Sequence, residues 1–62
     1  MKRFALIQLL ESEGCYLLRH GKKHDLYINP KTGARQPVPR HSEIKDSLVK
    51  GILRELAIEK KG

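Results

Sequence analysis

Turn-forming residues divide the middle of the chain into segments that are too short for typical helices. Gly21, followed by two lysines, ends the first of these segments. Residues 29–33 open with Asn-Pro and close with a glycine, and they end the second. The segments between these turns, residues 15–19, 24–29 and 34–38, predict three β-strands, and the first two contain both aliphatic and aromatic residues. Their short connections favour an antiparallel meander.

The third of these strands contains a proline that restricts its place in the sheet. Pro37 has no backbone N–H, so it cannot donate to a strand on both sides. We therefore expect the third strand to lie at an edge of the sheet.

An amphipathic helix is predicted before the strands, over residues 2–13. Its apolar residues share one face at helical spacing: Phe4, Leu6, Ile7, Leu9 and Leu10. Gly14 follows at the position where a left-handed C-terminal cap is expected.

A second amphipathic helix is predicted after the strands. Its apolar residues recur every four positions, with Leu53 beside them: Ile44, Leu48, Ile52 and Leu56. Ser42 and Asp46 are both suitable N-terminal caps for this helix. Residues 59–62 are expected to form a frayed tail.

The predicted order of elements is α-β-β-β-α, an α+β fold in which an antiparallel three-stranded sheet carries two helices on one face. This is the architecture of double-stranded-RNA-binding-like domains. The chain has 62 residues, and we expect residues 1–62 to form a single domain.

Charge indicates the kind of partner. Thirteen Lys and Arg against seven Asp and Glu give a formal charge of +6, which favours binding to nucleic acid. A membrane surface would also attract this charge, but the sequence has no long apolar run or lipidation motif to support it. Cys15 is the only cysteine, which excludes an internal disulfide and suits a buried, inert thiol in the cytoplasm.

Residues 19–27 concentrate the side chains suited to chemistry on a polyanion. A glycine turn lets a phosphate approach the backbone, and Lys22 and Lys23 add positive charge there. His24 begins the next strand, and histidine is the side chain best suited to moving a proton near neutral pH. RNA supplies its own nucleophile, the 2′-hydroxyl, so cleavage needs only a proton-transfer group and cations. From spacing alone, however, an ordinary solvated histidine is the commoner explanation.

The chain also resembles the HicA-type mRNA interferases, the toxin half of a toxin–antitoxin pair. The resemblance lies in Leu-Leu-Glu-Ser-Glu-Gly at 9–14, Gly-Lys-Lys-His-Asp-Leu-Tyr at 21–27, Val-Pro-Arg-His at 38–41 and Ile-Leu at 52–53, and it covers residues 2–58. The family often has one small hydroxyl residue between the glycine and the histidine, whereas two lysines stand here. The turn is therefore expected to be one residue longer.

This resemblance implies an endoribonuclease that cleaves mRNA without a metal or other cofactor and is neutralised by a HicB-type antitoxin. It makes His24 the catalytic residue and Gly21 the turn residue. Lys22, Lys23 and Arg40 are then the expected RNA-binding residues, together with Gly21.

Other interpretations of these residues stay open. The chain could be a non-catalytic RNA-binding module of the same fold, or an adaptor that binds an acidic protein. His41 fits a polar loop better than a phosphate site, and a zinc site that joins it to His20 and His24 is disfavoured. Tyr16 and Tyr27 are expected to lie opposite each other on neighbouring strands. They could stack on RNA bases if that face of the sheet is open, but packing across the strands is the safer interpretation.

Overall fold

A computed structural model describes residues 1–58 of the chain. Two helices flank three consecutive strands in the order that the sequence predicts: α1 Arg3–Ser12, β1 Tyr16–His20, β2 His24–Asn29, β3 Ala34–Pro39 and α2 Asp46–Glu55. The strands form one antiparallel sheet in the order β1-β2-β3, with both helices on one face. The α+β fold is confirmed. The predicted frayed tail, residues 59–62, lies outside the described residues.

The strand alternation decides which face of the sheet the helices cover. In β2, Asp25, Tyr27 and Asn29 are buried, whereas His24 is exposed and the residues between the buried ones are only half-buried. Because alternate residues of a strand point to opposite faces, the first set lies under the helices and the second set on an open face. The predicted edge position of Pro37 is also confirmed, since β3 pairs only with β2.

The core lies between the helices and this covered face. It consists of side chains from both helices, two strands and the connecting segments: Leu6, Leu10, Cys15, Tyr27, Val38, Ile44, Val49, Ile52, Leu53 and Leu56. Asn29 joins α2 to the sheet, because its side-chain amide donates to the Leu56 carbonyl at 2.7 Å and thereby satisfies one of the carbonyls left free at the helix end.

Two details of the predicted helices are wrong. Phe4 is 72% exposed and Leu48 is 43% exposed, so neither belongs to the core. In α2 the buried face is instead built on Val49, Ile52 and Leu53. A spacing of four residues advances 400° around a helix, so a row of such positions drifts away from one fixed face.

The caps of the helices also differ in part from expectation. Gly14 has φ +89°, the left-handed conformation predicted after α1. At the start of α2, however, the N-cap residue is Lys45, with no side-chain cap, and Asp46 lies in the first turn. Ser42 does not cap α2; its carbonyl accepts a hydrogen bond from the Arg3 N–H at 2.9 Å, which ties the start of α1 to the segment after β3.

Both described helices have ten residues, about half the length needed to cross the hydrocarbon core of a bilayer. Within residues 1–58, neither meets the requirements of a membrane-spanning segment.

Candidate active site

His24 is the first residue of β2 and lies on the open face of the sheet. It pairs with Pro39 of β3, and its side chain is exposed to solvent. Within the described part of the chain, its ring makes no hydrogen bond to another residue. The backbone is thus held by the sheet while the imidazole stays accessible to a ligand.

A backbone hydrogen bond closes the turn before His24. The Gly21 N–H donates to the His24 carbonyl at 2.7 Å. A Cβ at position 21 would lie 2.9 Å from that same carbonyl oxygen, which is closer than real Cβ contacts allow. Glycine is therefore required here by the close approach of the turn to the start of β2, a reason that sequence reasoning did not identify. Lys22 and Lys23 are exposed at the tip.

An open depression of about 540 Å³ borders this turn, a size within the usual range for ligand sites. Arg19, Lys22 and His24 are among its polar lining residues, and Leu26 and Pro37 are apolar ones. The depression therefore combines cationic groups for an anion with an apolar surface, and an exposed imidazole lines it.

Asp25 lies beside His24 in sequence but on the opposite face, under the helices. Its side chain is buried and accepts hydrogen bonds from three residues: Arg3 Nη2 at 2.7 Å, His20 Nδ1 at 2.8 Å and Arg40 Nε at 2.9 Å. A buried carboxylate requires such partners, because burial without them costs several kcal/mol. We call these four side chains the Asp25 cluster.

The Asp25 cluster keeps its carboxylate ionised. Hydrogen bonds from Arg40 and then His20 lower the pKa of Asp25 to about 2, against a partial opposing effect of desolvation. An ionised carboxylate only accepts hydrogen bonds, so Nδ1 of His20 must bear the proton in their contact. Asp25 thereby fixes the orientation of the His20 ring, which lines the same depression as His24.

Arg40 connects the Asp25 cluster to the turn. Its Nη2 donates to the Gly21 carbonyl at 2.7 Å, and Nη1 makes a longer contact of 3.3 Å with the Lys22 carbonyl. The sequence predicts that Arg40 binds RNA phosphate, and that role stays a prediction. The geometry shows that its guanidinium holds the backbone of the turn that precedes His24.

The other candidate residues are dispersed. His41 is exposed in the segment after β3, and no group of three His, Cys, Asp or Glu side chains within residues 1–58 is placed to hold a metal ion. Cys15 is buried in the core, and burial raises the pKa of its thiol.

The predicted pairing of the two tyrosines is wrong. Tyr16 pairs with Ile28, while Tyr27 pairs with Leu17 and Gln36. Residues that pair directly share a face, so Tyr16 lies on the open face and Tyr27, 6% exposed, lies in the core. Of the two tyrosines, Tyr16 is therefore the one that is available to stack on a ligand.

Sequence reasoning missed the Asp25 cluster. The signal was present in the sequence of β2, because Asp25, Tyr27 and Asn29 are alternate residues and therefore point to the same face of the sheet. Once Tyr27 is assigned to the core, a carboxylate two residues earlier must be buried as well and must have cationic partners.

Comparison with known proteins identifies one family. The family model described as HicA toxin of bacterial toxin-antitoxin matches residues 5–58, a range that contains all three strands, α2 and every residue lining the depression. No curated protein and no solved structure gives a significant match.

Proposed function

Since this chain belongs to the HicA toxin family of bacterial toxin–antitoxin systems, we propose that it is an endoribonuclease that cleaves mRNA with His24 as its catalytic residue. The observation that supports this proposal most directly is the exposed imidazole of His24 in a depression that is also lined by Arg19 and Lys22. An accessible proton-transfer group next to cations is what the cleavage of a phosphodiester requires.

In the proposed reaction, the ribose 2′-hydroxyl of the substrate attacks the adjacent phosphorus. The new bond joins the 2′-oxygen to phosphorus, and the bond from phosphorus to the 5′-oxygen of the next nucleotide breaks. One proton leaves the 2′-hydroxyl and one is delivered to the departing 5′-oxygen. His24 acts as the general base or the general acid in this exchange, a contribution that is typically about 10²–10⁴-fold in rate.

The turn residues have two proposed roles in this reaction. Lys22 and Lys23, both exposed, bind the phosphate and stabilise the charge that develops on its oxygens. Gly21 allows the turn to close tightly against the start of β2. Arg40 supports the site by holding the turn carbonyls, and it contributes positive charge to the same region, since its side chain is partly exposed.

The proposed protein partner is a HicB-type antitoxin that covers the basic surface around His24, and the proposed location of both proteins is the cytoplasm. Electrostatic complementarity would speed this association, because the toxin carries a formal charge of +6. Masking of His24 by a bound protein would exclude RNA from the depression.

Cleavage of RNA by purified protein in the presence of a chelator tests this function. Wild-type protein should shorten an mRNA, and His24→Ala should remove this activity while the circular dichroism spectrum stays that of the folded domain. His41→Ala is the matched control, because His41 is also exposed but lies outside the depression. Cleavage that survives in His24→Ala would reject the role of His24. Binding of RNA without cleavage by the wild type would indicate a non-catalytic RNA-binding module.

A further inference from the structure

The open face of the sheet extends well beyond the depression around His24. The pairing register places Tyr16 beside Ile28, Arg19 beside Leu26, and Arg35 on the other side of Ile28. Directly paired residues share a face, so these side chains form one continuous surface with His24 and Pro37. We call this surface the open sheet face. Within residues 1–58, no helix covers it.

The acidic residues of the described part of the chain are all absent from this face. Every charged residue of the open sheet face is a cation, Arg19 or Arg35. The acidic residues of the described part lie elsewhere: Asp25 is on the covered face, and the others belong to the helices or adjoin them, namely Glu11, Glu13, Glu43, Asp46 and Glu55. The open sheet face is therefore suited to a polyanion.

The same face also exposes apolar groups between its cations. Tyr16 is 50% exposed, and Leu26 and Ile28 are half-buried along the middle strand. Phosphates of a nucleic acid need only the cations, whereas an apolar strip with an aromatic ring suits unpaired bases. In a duplex the bases are stacked inside and present no flat surface to such a strip. A face that combines cations with this apolar strip therefore fits a single strand better than a double helix.

We propose that the open sheet face binds single-stranded RNA, with the base of one nucleotide stacked on Tyr16 and a phosphate bound by Arg35, at a distance from the bond that is cut. This inference rests on the proposed function, because it extends the site around His24 along β2. From His24 to Ile28 the strand covers about 13 Å, so Tyr16 and Arg35 contact nucleotides other than those at the cleaved bond.

The test measures RNA binding separately from cleavage. In a His24→Ala background, fluorescence anisotropy is recorded with a labelled single-stranded RNA and with a blunt duplex of the same sequence. The parent variant should bind the single strand more tightly than the duplex. Tyr16→Ala should weaken single-strand binding by about tenfold, as loss of one base–aromatic stack does, and Tyr16→Phe should restore it.

Charge reversal on the two faces provides the matched comparison. Arg35→Glu and Lys50→Glu change the net charge equally, and both residues are exposed, but Lys50 lies on α2. Arg35→Glu should weaken single-strand binding much more than Lys50→Glu does. Equal losses in these two variants, unchanged binding in Tyr16→Ala, or equal affinity for the duplex would each overturn the proposal.

Failure of the proposed function gives a different pattern. If the protein with His24 intact does not cleave RNA, but binding still depends on Tyr16 and Arg35, the enzyme assignment fails and the open sheet face stands as a binding surface. If cleavage depends on His24 but Arg35→Glu and Lys50→Glu behave alike, the enzyme stands and the open sheet face is rejected.

Discussion

Arg40 donates through Nε to Oδ1 of Asp25 at 2.9 Å, although the two residues lie on different sides of the turn between β2 and β3. The same guanidinium donates to the carbonyl of Gly21 at 2.7 Å. A buried carboxylate thus holds an arginine, and the arginine holds the turn that leads to His24. If His24 is the catalytic residue, as we propose, this relationship gives Asp25 and Arg40 the role of positioning residues, because they hold the turn before it.

Replacement of Arg40 should lower the cleavage rate of the folded protein, in addition to the stability that is lost when buried Asp25 loses one of its partners. Arg40→Ala releases the Gly21 carbonyl and leaves the turn less well defined, and a small displacement of a catalytic group can cost up to about 10²-fold in rate. We expect kcat to fall, and Arg40→Lys to restore little of it, because a lysine cannot donate to Asp25 and the turn in the same geometry.

Arg54→Ala is the control for this experiment, since Arg54 is an exposed arginine in the last turn of α2. Steady-state kinetics on a short RNA separate kcat from KM. An effect of Arg40→Ala confined to KM would favour a role as a phosphate ligand over a positioning role.

The stability of the fold should decline in acid because of Asp25. Its pKa is about 2 in the folded protein, below the ordinary 3.8, so its carboxylate stabilises the fold fully above 3.8. This contribution is lost as the pH falls from 3.8 through about 2. Urea unfolding midpoints measured across this interval should fall more steeply for the wild type than for Asp25→Asn. Parallel curves for the two proteins would contradict the lowered pKa.

Addition of a methyl group at Gly21 should disturb the turn. The new Cβ would lie 2.9 Å from the His24 carbonyl oxygen, so Gly21→Ala must shift the backbone at the first residue of β2. We expect a destabilisation of about 1–3 kcal/mol, typical of overpacking, and a loss of cleavage. The measurement is chemical denaturation together with the RNA cleavage assay.

Gly51→Ala is the opposite case in the same chain. Gly51 lies inside α2, and nothing lies within 4 Å of the position where its Cβ would stand. This substitution should raise stability by about 0.5–1 kcal/mol, because alanine favours a helix more than glycine does. Wild-type behaviour of Gly21→Ala alongside a stabilised Gly51→Ala would show that the turn tolerates a side chain.

Two apolar residues of α2 should respond very differently to truncation. Ile52 is fully buried, so Ile52→Ala should cost about 2–5 kcal/mol of unfolding free energy. Leu48 is 43% exposed, and Leu48→Ala should change stability by only about 0.5 kcal/mol. Thermal or urea unfolding distinguishes the two. Similar losses of stability in the two variants would mean that Leu48 faces the core, as the four-residue spacing predicts.

The sequence predicts the fold well because its local signals agree with one another. The turn at residues 29–33 and the glycine at 21 separate the strands, and β2 has the predicted bounds, residues 24–29. The faces of the helices were harder to predict. Ile44, although buried, precedes α2, so counting it as the first member of a helical row moved the predicted face towards Leu48.

The candidate site is only partly accessible to sequence reasoning. His24 and its two lysines are adjacent along the chain, so a local pattern reveals them. The Asp25 cluster depends on contacts over 22 and 15 residues, to Arg3 and Arg40. Such contacts are created by the packing of α1 and the segment after β3 against the sheet, which no local pattern specifies.

The positions of the Asp25 partners along the chain also determine when the protein can become toxic to the cell that makes it. Arg3 comes from the first helix and Arg40 from the segment that follows the last strand. A growing chain that has not yet released residue 40 from the ribosome has His24 but lacks the guanidinium that holds its turn. The polypeptide should therefore be inactive during synthesis until most of the domain has emerged. Fragments that end before this residue should not be toxic.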